Sequence, residues 1–339
     1  MSVPCANTRS GDNMNRKTFF HALAALAAVT CMGGSALAQA LPNKTIKIIT
    51  PFPAGQGPDV LLRMVADKMT ASLGQAVVIE NKPGASGFIA FETAKRGPAD
   101  GYTLVHMDSF HVGTHPHLFN RLPYSATKDF DPITPLVRNH FFVVVSANSK
   151  YKTMGDLIAD AKARSGLVTY GSWGVATPAH LGGLLLESAA GIKMNHVPYK
   201  EVAQLYQSVA NGELDWAIGS AASAGALLQA GKVRFLAAAA PKRIAGYEGI
   251  PTSSESGGPA SWTVGGWNGL LAPKGTPKEI VQKLNESIVR AMQSPDIKDK
   301  LGPFTYESYT MSTADMAKQM EVEVASWGPT LQKAGIKLD

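Results

Sequence analysis

From Ile46 onward this 339-residue chain alternates short runs of β-branched and other apolar residues with longer stretches of helical period. That alternation confines it to the α/β class, with a largely parallel sheet. The strands are expected near residues 46–50, 76–80, 102–106, 141–146, 168–171, 214–219, 233–239 and 269–272. Between the first two, residues 58–73 place Leu61, Leu62, Val65, Ala66 and Met69 on one helical stripe that must pack on a sheet. Thr276-Pro277 and the pair Ser312 and Asp315 are helix-start signals, so two C-terminal helices are expected over roughly 277–293 and 312–334.

The chain is 45% hydrophobic and 17% charged, enough apolar matter for a sizeable core, and its length exceeds what one core comfortably serves. Two lobes are therefore expected. Residues 128–146 and the Gly/Pro/Ser-rich residues 252–266 are where the chain would cross between them. This makes the first lobe discontinuous, 41–142 with 263–339, and the second 143–262. Ligands of open α/β sheets bind beyond the carboxyl ends of strands, so the loops after the strands carry the search for function.

The first forty residues are set apart from the fold. Asn15-Arg16-Lys17 precedes an apolar stretch from Phe19 to Met32 and then small residues ending Ala36-Leu37-Ala38-Gln39-Ala40, the order of a secretory signal peptide. Met14 stands directly before the basic residues, so residues 1–13 read as an upstream extension. Cys5 and Cys31 both lie in this leader, which leaves an exported chain without disulfide or thiol chemistry. The net charge of +6 comes from scattered lysines and arginines, with no basic run to grip nucleic acid.

Three loops could carry chemistry. Pro51-Phe52-Pro53-Ala54-Gly55-Gln56-Gly57-Pro58-Asp59 follows the first strand, and its glycines and the Pro suited to a first helical turn would turn free N–H groups toward a ligand. That is an anion-binding arrangement, though neither a phosphate loop nor a dinucleotide fingerprint; the plainer reading is a tight turn with Asp59 complementing the helix dipole. The second loop runs from Tyr170 to His180, with Ser172, Trp173 and Thr177, the last able to cap a helix whose first residue is Pro178. The two helix starts, one per lobe, would then face each other across a cleft. Ser172 and His180 invite a hydrolase reading, but the G-x-S-x-G elbow is missing and no catalytic residue is assigned.

The third loop holds Asp108, Ser109, Phe110 and His111, with His115 four residues beyond. His111 and His115 would share a helical face and, with His106 or Asp108, could bind a metal. Gly113 and Pro116 weaken that helix, and exposed loop histidines are common, so no metal is assigned. The alternative is that Ser109 and His111 hydrogen-bond a ligand at the strand end.

Taken together the mature chain resembles the Bug-type periplasmic solute receptors of the tripartite tricarboxylate transporter family. The resemblance rests on Pro51-Phe52-Pro53 with Asp59, residues 77–85 (VVIENKPGA), 98–104 (PADGYTL), Leu122-Pro123-Tyr124, Tyr170-Gly171-Ser172, Val197-Pro198-Tyr199-Lys200, residues 230–234 (AGKVR) and Gly269-Leu270-Leu271-Ala272-Pro273 with Gly275-Thr276-Pro277, in this order and spacing. It implies a two-lobed periplasmic-binding-protein fold of the Venus-flytrap, type II-like kind. It also implies a monomer without cofactor or catalysis that closes on a small organic carboxylate and passes it to membrane permease subunits. A periplasmic receptor that reports its ligand to a signalling partner is the alternative. The pocket loops depart from the family: Gln56-Gly57-Pro58 replaces a hydroxyl-bearing Gly-rich stretch, Gly219-Ser220 stands where an Asp or Asn is usual, and Glu201 replaces a Gly. Phe52, Phe110 and Trp173 add flat apolar surface, which favours an aromatic or amphipathic carboxylate over a short polar one; the alternative is that any of the three packs in the core, where aromatics usually sit.

Overall fold

The computed structural model describes Met1, Ser2 and residues 44–338, so the leader sequence and its cleavage site lie outside the described residues. The chain beyond Lys44 forms two mixed sheets flanked by helices, the two-lobed α/β arrangement. The first sheet holds β1 (Ile46–Thr50), β2 (Val77–Asn81), β3 (Thr103–Asp108), β4 (Phe130–His140), β10 (Gly265–Pro273) and β11 (Tyr306–Ser308), in the order β11-β4-β10-β3-β1-β2. The second holds β5 (Phe142–Ser146), β6 (Thr169–Ser172), β7 (Asn195–Pro198), β8 (Trp216–Gly219) and β9 (Val233–Ala238), in the order β7-β6-β8-β5-β9.

The helices that bear on the site are α1 (Gly57–Leu73), α2 (Phe88–Lys95), α3 (Ser109–Gly113), α4 (His115–Leu118), α5 (Met154–Ala163), α6 (Pro178–Ala190), α7 (Val202–Asn211) and α8 (Ala221–Gln229). The C-terminal part adds α9 (Lys278–Gln293), α10 (Pro295–Leu301) and α11 (Thr313–Ala334). No helix among the described residues is long and apolar enough to cross a membrane.

The sheets are less parallel than the alternation of patterns implied. β1 runs parallel to β2 and β3, and β6 parallel to β7 and β8, whereas β10 is antiparallel to β3 and β4, β11 to β4, and β5 to β8 and β9. The cause is the pair of passages between lobes: β4 runs directly into β5 across Phe141, and β10 brings the chain back alongside β4 in the opposite direction. β4 itself was hidden by Pro132 and Pro135, residues that argue against an interior strand. The ladder accommodates them with register shifts at Asn268/Gly269 and Leu270/Leu271 of β10.

Periodicity explains the packing. In β5, Phe142 and Val144 face one apolar cluster with Leu205, Tyr206 and Phe235, while Val143 and Val145 face another with Tyr170, Leu181 and Trp216. A strand covered on both sides reads as a continuous apolar run. α1 buries Leu61, Leu62, Val65, Ala66 and Met69, the stripe its sequence dictates, and ends at Gly74 in the left-handed conformation, whose N–H donates to the Thr70 carbonyl.

Helix α11 packs on α3 and β4 of the first lobe and also on α6 of the second. Its Glu323 carboxylate accepts from the indole N–H groups of Trp267 (3.1 Å) and Trp327 (3.2 Å).

Candidate functional site

The loop from Pro51 to Asp59 is held by hydrogen bonds centred on the Asp59 and Asn81 side chains. Asp59 is 1% exposed; its Oδ2 accepts the Gly55 amide (2.8 Å) and Arg63 Nε (3.0 Å), and its Oδ1 accepts Asn81 Nδ2 (2.7 Å) and Arg63 Nη2 (3.1 Å). Asn81 also donates to the Phe52 carbonyl (2.9 Å) and accepts Arg63 Nη2 (2.8 Å). Burial alone would raise the Asp59 carboxyl; hydrogen bonds from Arg63, Asn81 and Gly55, with the charge of Arg63, hold it below its ordinary value. Asp59 therefore shapes the loop.

Two glycines in this loop serve different ends. Gly55 has φ +81° with nothing within 4 Å of where a Cβ would stand, so its requirement is the left-handed backbone alone. Gly55→Val should lower stability by about 1–2 kcal/mol or more through that dihedral, seen as a lower melting temperature of the ligand-free protein. Gly57 has no such dihedral. A Cβ there would lie 2.7 Å from Tyr306 Oη and 3.1 Å from Ala222 Cβ.

Under Phe52 runs a buried relay. The Phe52 amide donates to Thr50 Oγ1 (3.3 Å), Thr50 Oγ1 meets His106 Nδ1 (3.1 Å), and His106 Nε2 meets Asn268 Oδ1 (3.1 Å). An amide oxygen only accepts, so Nε2 carries the proton and Thr50 donates to Nδ1. His106 is fully buried, and desolvation pushes it down to about 4. The Phe52 ring stands edge-on to His106 at 5.0 Å and to His111 at 6.0 Å.

In the third loop Asp108 caps α3, accepting the His111 amide (2.9 Å), and its own amide donates to His111 Nδ1 (3.2 Å). Burial works to raise the Asp108 carboxyl, but the His111 imidazole and amide hold it low. Ser109 Oγ accepts the Trp267 amide (3.3 Å), and Phe110 is buried against Trp327 with ring centroids 5.5 Å apart. These side chains are occupied with local structure. His111 and His115 lie 5.1 Å apart, centroid to centroid, but His115 Nδ1 meets Tyr124 Oη (2.9 Å), and among the described residues no three metal-ligating groups converge.

The second loop follows the same pattern. Ser172 is fully buried, and its Oγ donates to the Gly174 carbonyl (3.0 Å), accepts the Gly174 amide (3.2 Å) and meets His196 Nε2 at 2.7 Å. Its histidine neighbour is thus His196; His180 instead accepts the Ala176 amide at Nδ1 (3.2 Å) and stacks on His196 with centroids 4.0 Å apart. Desolvation pushes both rings down to about 4, His180 further disfavoured by the His196 charge. Thr177 occupies the cap position of α6, but its hydroxyl donates to the Gly174 carbonyl (2.7 Å) rather than capping the helix. Trp173 is half-buried, its ring 5.7 Å from Phe141 at the passage between lobes. Ser220 caps α8, accepting the Ser223 amide (3.2 Å).

Across the cleft, the start of α1 meets the start of α8 at Gly57 and Ala222, so the helix end opposite the first loop is that of α8. The α6 loop meets the turn Ala85–Gly87, where Ser86 Oγ donates to the Val175 carbonyl (3.4 Å). Of the loop supports, Arg63, Asn268 and His196 were not singled out in the sequence, and Asn81 figured there only within residues 77–85. Only Arg63 offered a local signal, four residues after Asp59 on one helical face.

The comparisons agree with this architecture. The description "Tripartite tricarboxylate transporter family receptor" matches residues 61–336. A Cupriavidus necator protein from the gbd 5′ region is 32% identical over 95% of this chain and 99% of its own length, and BugT of Bordetella pertussis is 29% identical over 89% and 92%. Among solved structures, a Rhodopseudomonas palustris protein with adipate superimposes with TM-score 0.81 at 30% identity, covering 88% of this chain and 99% of that one. MatC from the same organism, with bound malate, gives 0.78 at 26% identity over 86% and 99%. Family and fold converge, and the chain belongs to the tripartite tricarboxylate transporter receptors, periplasmic solute-binding proteins of two lobes.

Proposed function

We propose that this protein captures a small organic carboxylate between its lobes and delivers it to the membrane permease subunits of a tripartite tricarboxylate-type transporter, working in the periplasm once residues 1–40 are removed. The lobes in this reading are 41–142 with 263–339, and 143–262. One observation carries it: the polar side chains of the loops are taken up by their own backbone and by neighbouring supports, while the starts of α1 and α8, one from each lobe, are brought together. The first amides of a helix have no partner within it and carry partial positive charge, which suits an anion; at α8 Ser220 already takes the Ser223 amide, so the amides before it are the ones in question. That relatives were solved with adipate and malate supports the same ligand class.

In this proposal Gly55, Gln56, Gly57, Pro58 and Asp59 contribute backbone and shape, and Phe52 and Trp173 contribute ring faces. Asp108, Ser109, His111, Ser172, Thr177 and Ser220 hold the loops. The test is a thermal-shift panel of adipate, malate, benzoate and phenylacetate beside cationic and neutral solutes, with calorimetry on the hits. A ligand that binds the native state alone raises the melting temperature. At least one carboxylate should do so, and Trp173→Ala should weaken aromatic acids more than aliphatic ones. A panel in which only cationic or neutral solutes shift the melt would overturn the anion site.

A further inference from the structure

We infer that Gly57 and Ala222 form the stop that sets how far the lobes close, and that glycine stands at 57 to leave room for the second lobe. This rests on the two-lobed receptor reading but not on any particular ligand. Gly57 opens α1 in a backbone conformation that any residue can adopt. Helix propensity would favour alanine there, since glycine is the poorer helix former. What excludes a side chain is space: Tyr306 Oη from its own lobe, and Ala222 Cβ at 3.1 Å from the other.

A second observation marks the same contacts. Ala85, Ser86, Ala176 and Thr305 are the non-glycine residues with positive φ among those described, at 46°, 51°, 61° and 61°. Ala85, Ser86 and Ala176 flank the Ser86–Val175 hydrogen bond between lobes. Thr305 follows the turn Gly302–Phe304, which packs against α8, and precedes Tyr306. Such conformations persist where the surroundings over-determine them. Here they sit where the two lobes touch, so the contact surface is a fixed shape against which α8 comes to rest.

The test is closure measured by cross-linking without added ligand. In the full chain carrying Cys5→Ser and Cys31→Ser, Ser86→Cys and Val175→Cys provide the thiols, and the rate of coupling by a short bis-maleimide reports how often the lobes meet. Gly57→Ala should slow that rate about tenfold or more, the scale of overpacking a tight contact, and any fall in melting temperature it causes comes from Tyr306 in its own lobe. Adding Tyr306→Phe removes crowding within the lobe only and should leave the rate slow. Adding Ala222→Gly instead should restore it. An unchanged rate in Gly57→Ala, failure of Ala222→Gly to rescue, or no coupling in the parent pair would each overturn the inference. Failure of the carboxylate panel would leave this result standing.

Discussion

Between pH 6.5 and 4 the melting temperature of the ligand-free protein should fall steeply, before most carboxylates titrate. His106, His180 and His196 are each pushed down to about 4 in the folded chain, against an ordinary value near 6.5 in the unfolded one. As pH falls, the unfolded chain takes up these protons first, so stability is intact above about 6.5 and declines until the folded pKa is reached. Each histidine contributes roughly 3 kcal/mol across that window, and although the stacked pair His180 and His196 does not add in full, the loss is large beside the stability of a domain. Desolvation outweighs the Asn268 hydrogen bond and the Asp108 and Asp59 carboxylates, which pull His106 the other way, whereas at His180 the imidazole of His196 at 4.0 Å adds to it. Melts at half-unit steps from pH 8 to 3.5 check this. A flat profile down to pH 4, with loss only below it, would assign acid sensitivity to carboxylates such as Asp59, whose depressed pKa gives stability that persists to lower pH.

Asp59→Ala should be the most damaging single change in the first loop. It removes the acceptor for Gly55, Asn81 and Arg63 at once and leaves a buried void. Because the Arg63 side chain is 48% exposed and can rehydrate, the cost should be about 2–4 kcal/mol, at or below the range for a fully buried pair. Carboxylate binding, where calorimetry detects it in the parent, should be lost even well below the melting temperature. Asp59→Asn, which keeps acceptor oxygen and shape, should recover part of both. Full binding by Asp59→Ala would show that the loop holds its form without this network.

The contrast between what the sequence disclosed and what it withheld follows from locality. The α1 stripe and β5 run were legible because periodicity is a property of neighbouring residues, and the three loops were found because they follow strands. β4 was missed because its prolines are reconciled by bulges on a partner strand remote in sequence. The roles of loop side chains were hidden for the same reason. Asp59 meets Asn81 22 residues away, Ser172 meets His196 24 away, and His106 meets Asn268 162 away. Residue type alone marks Asp59 and Ser172 as ligand contacts as readily as loop supports; the partner decides, and no local pattern names the partner.

The C-terminal helix has a consequence for how this receptor can be handled. Leu331 and Ile336, at and just beyond its end, share one apolar cluster with Leu118 of the first lobe and Leu181 of the second, while its middle is fastened by the indole of Trp267. Leu331 and Ile336 thus tie the two lobes together like a strut rather than belonging to one of them. A reporter or affinity tag fused directly behind this helix would load that strut, so an optical biosensor made from this protein should carry its fluorophores on the lobe faces instead.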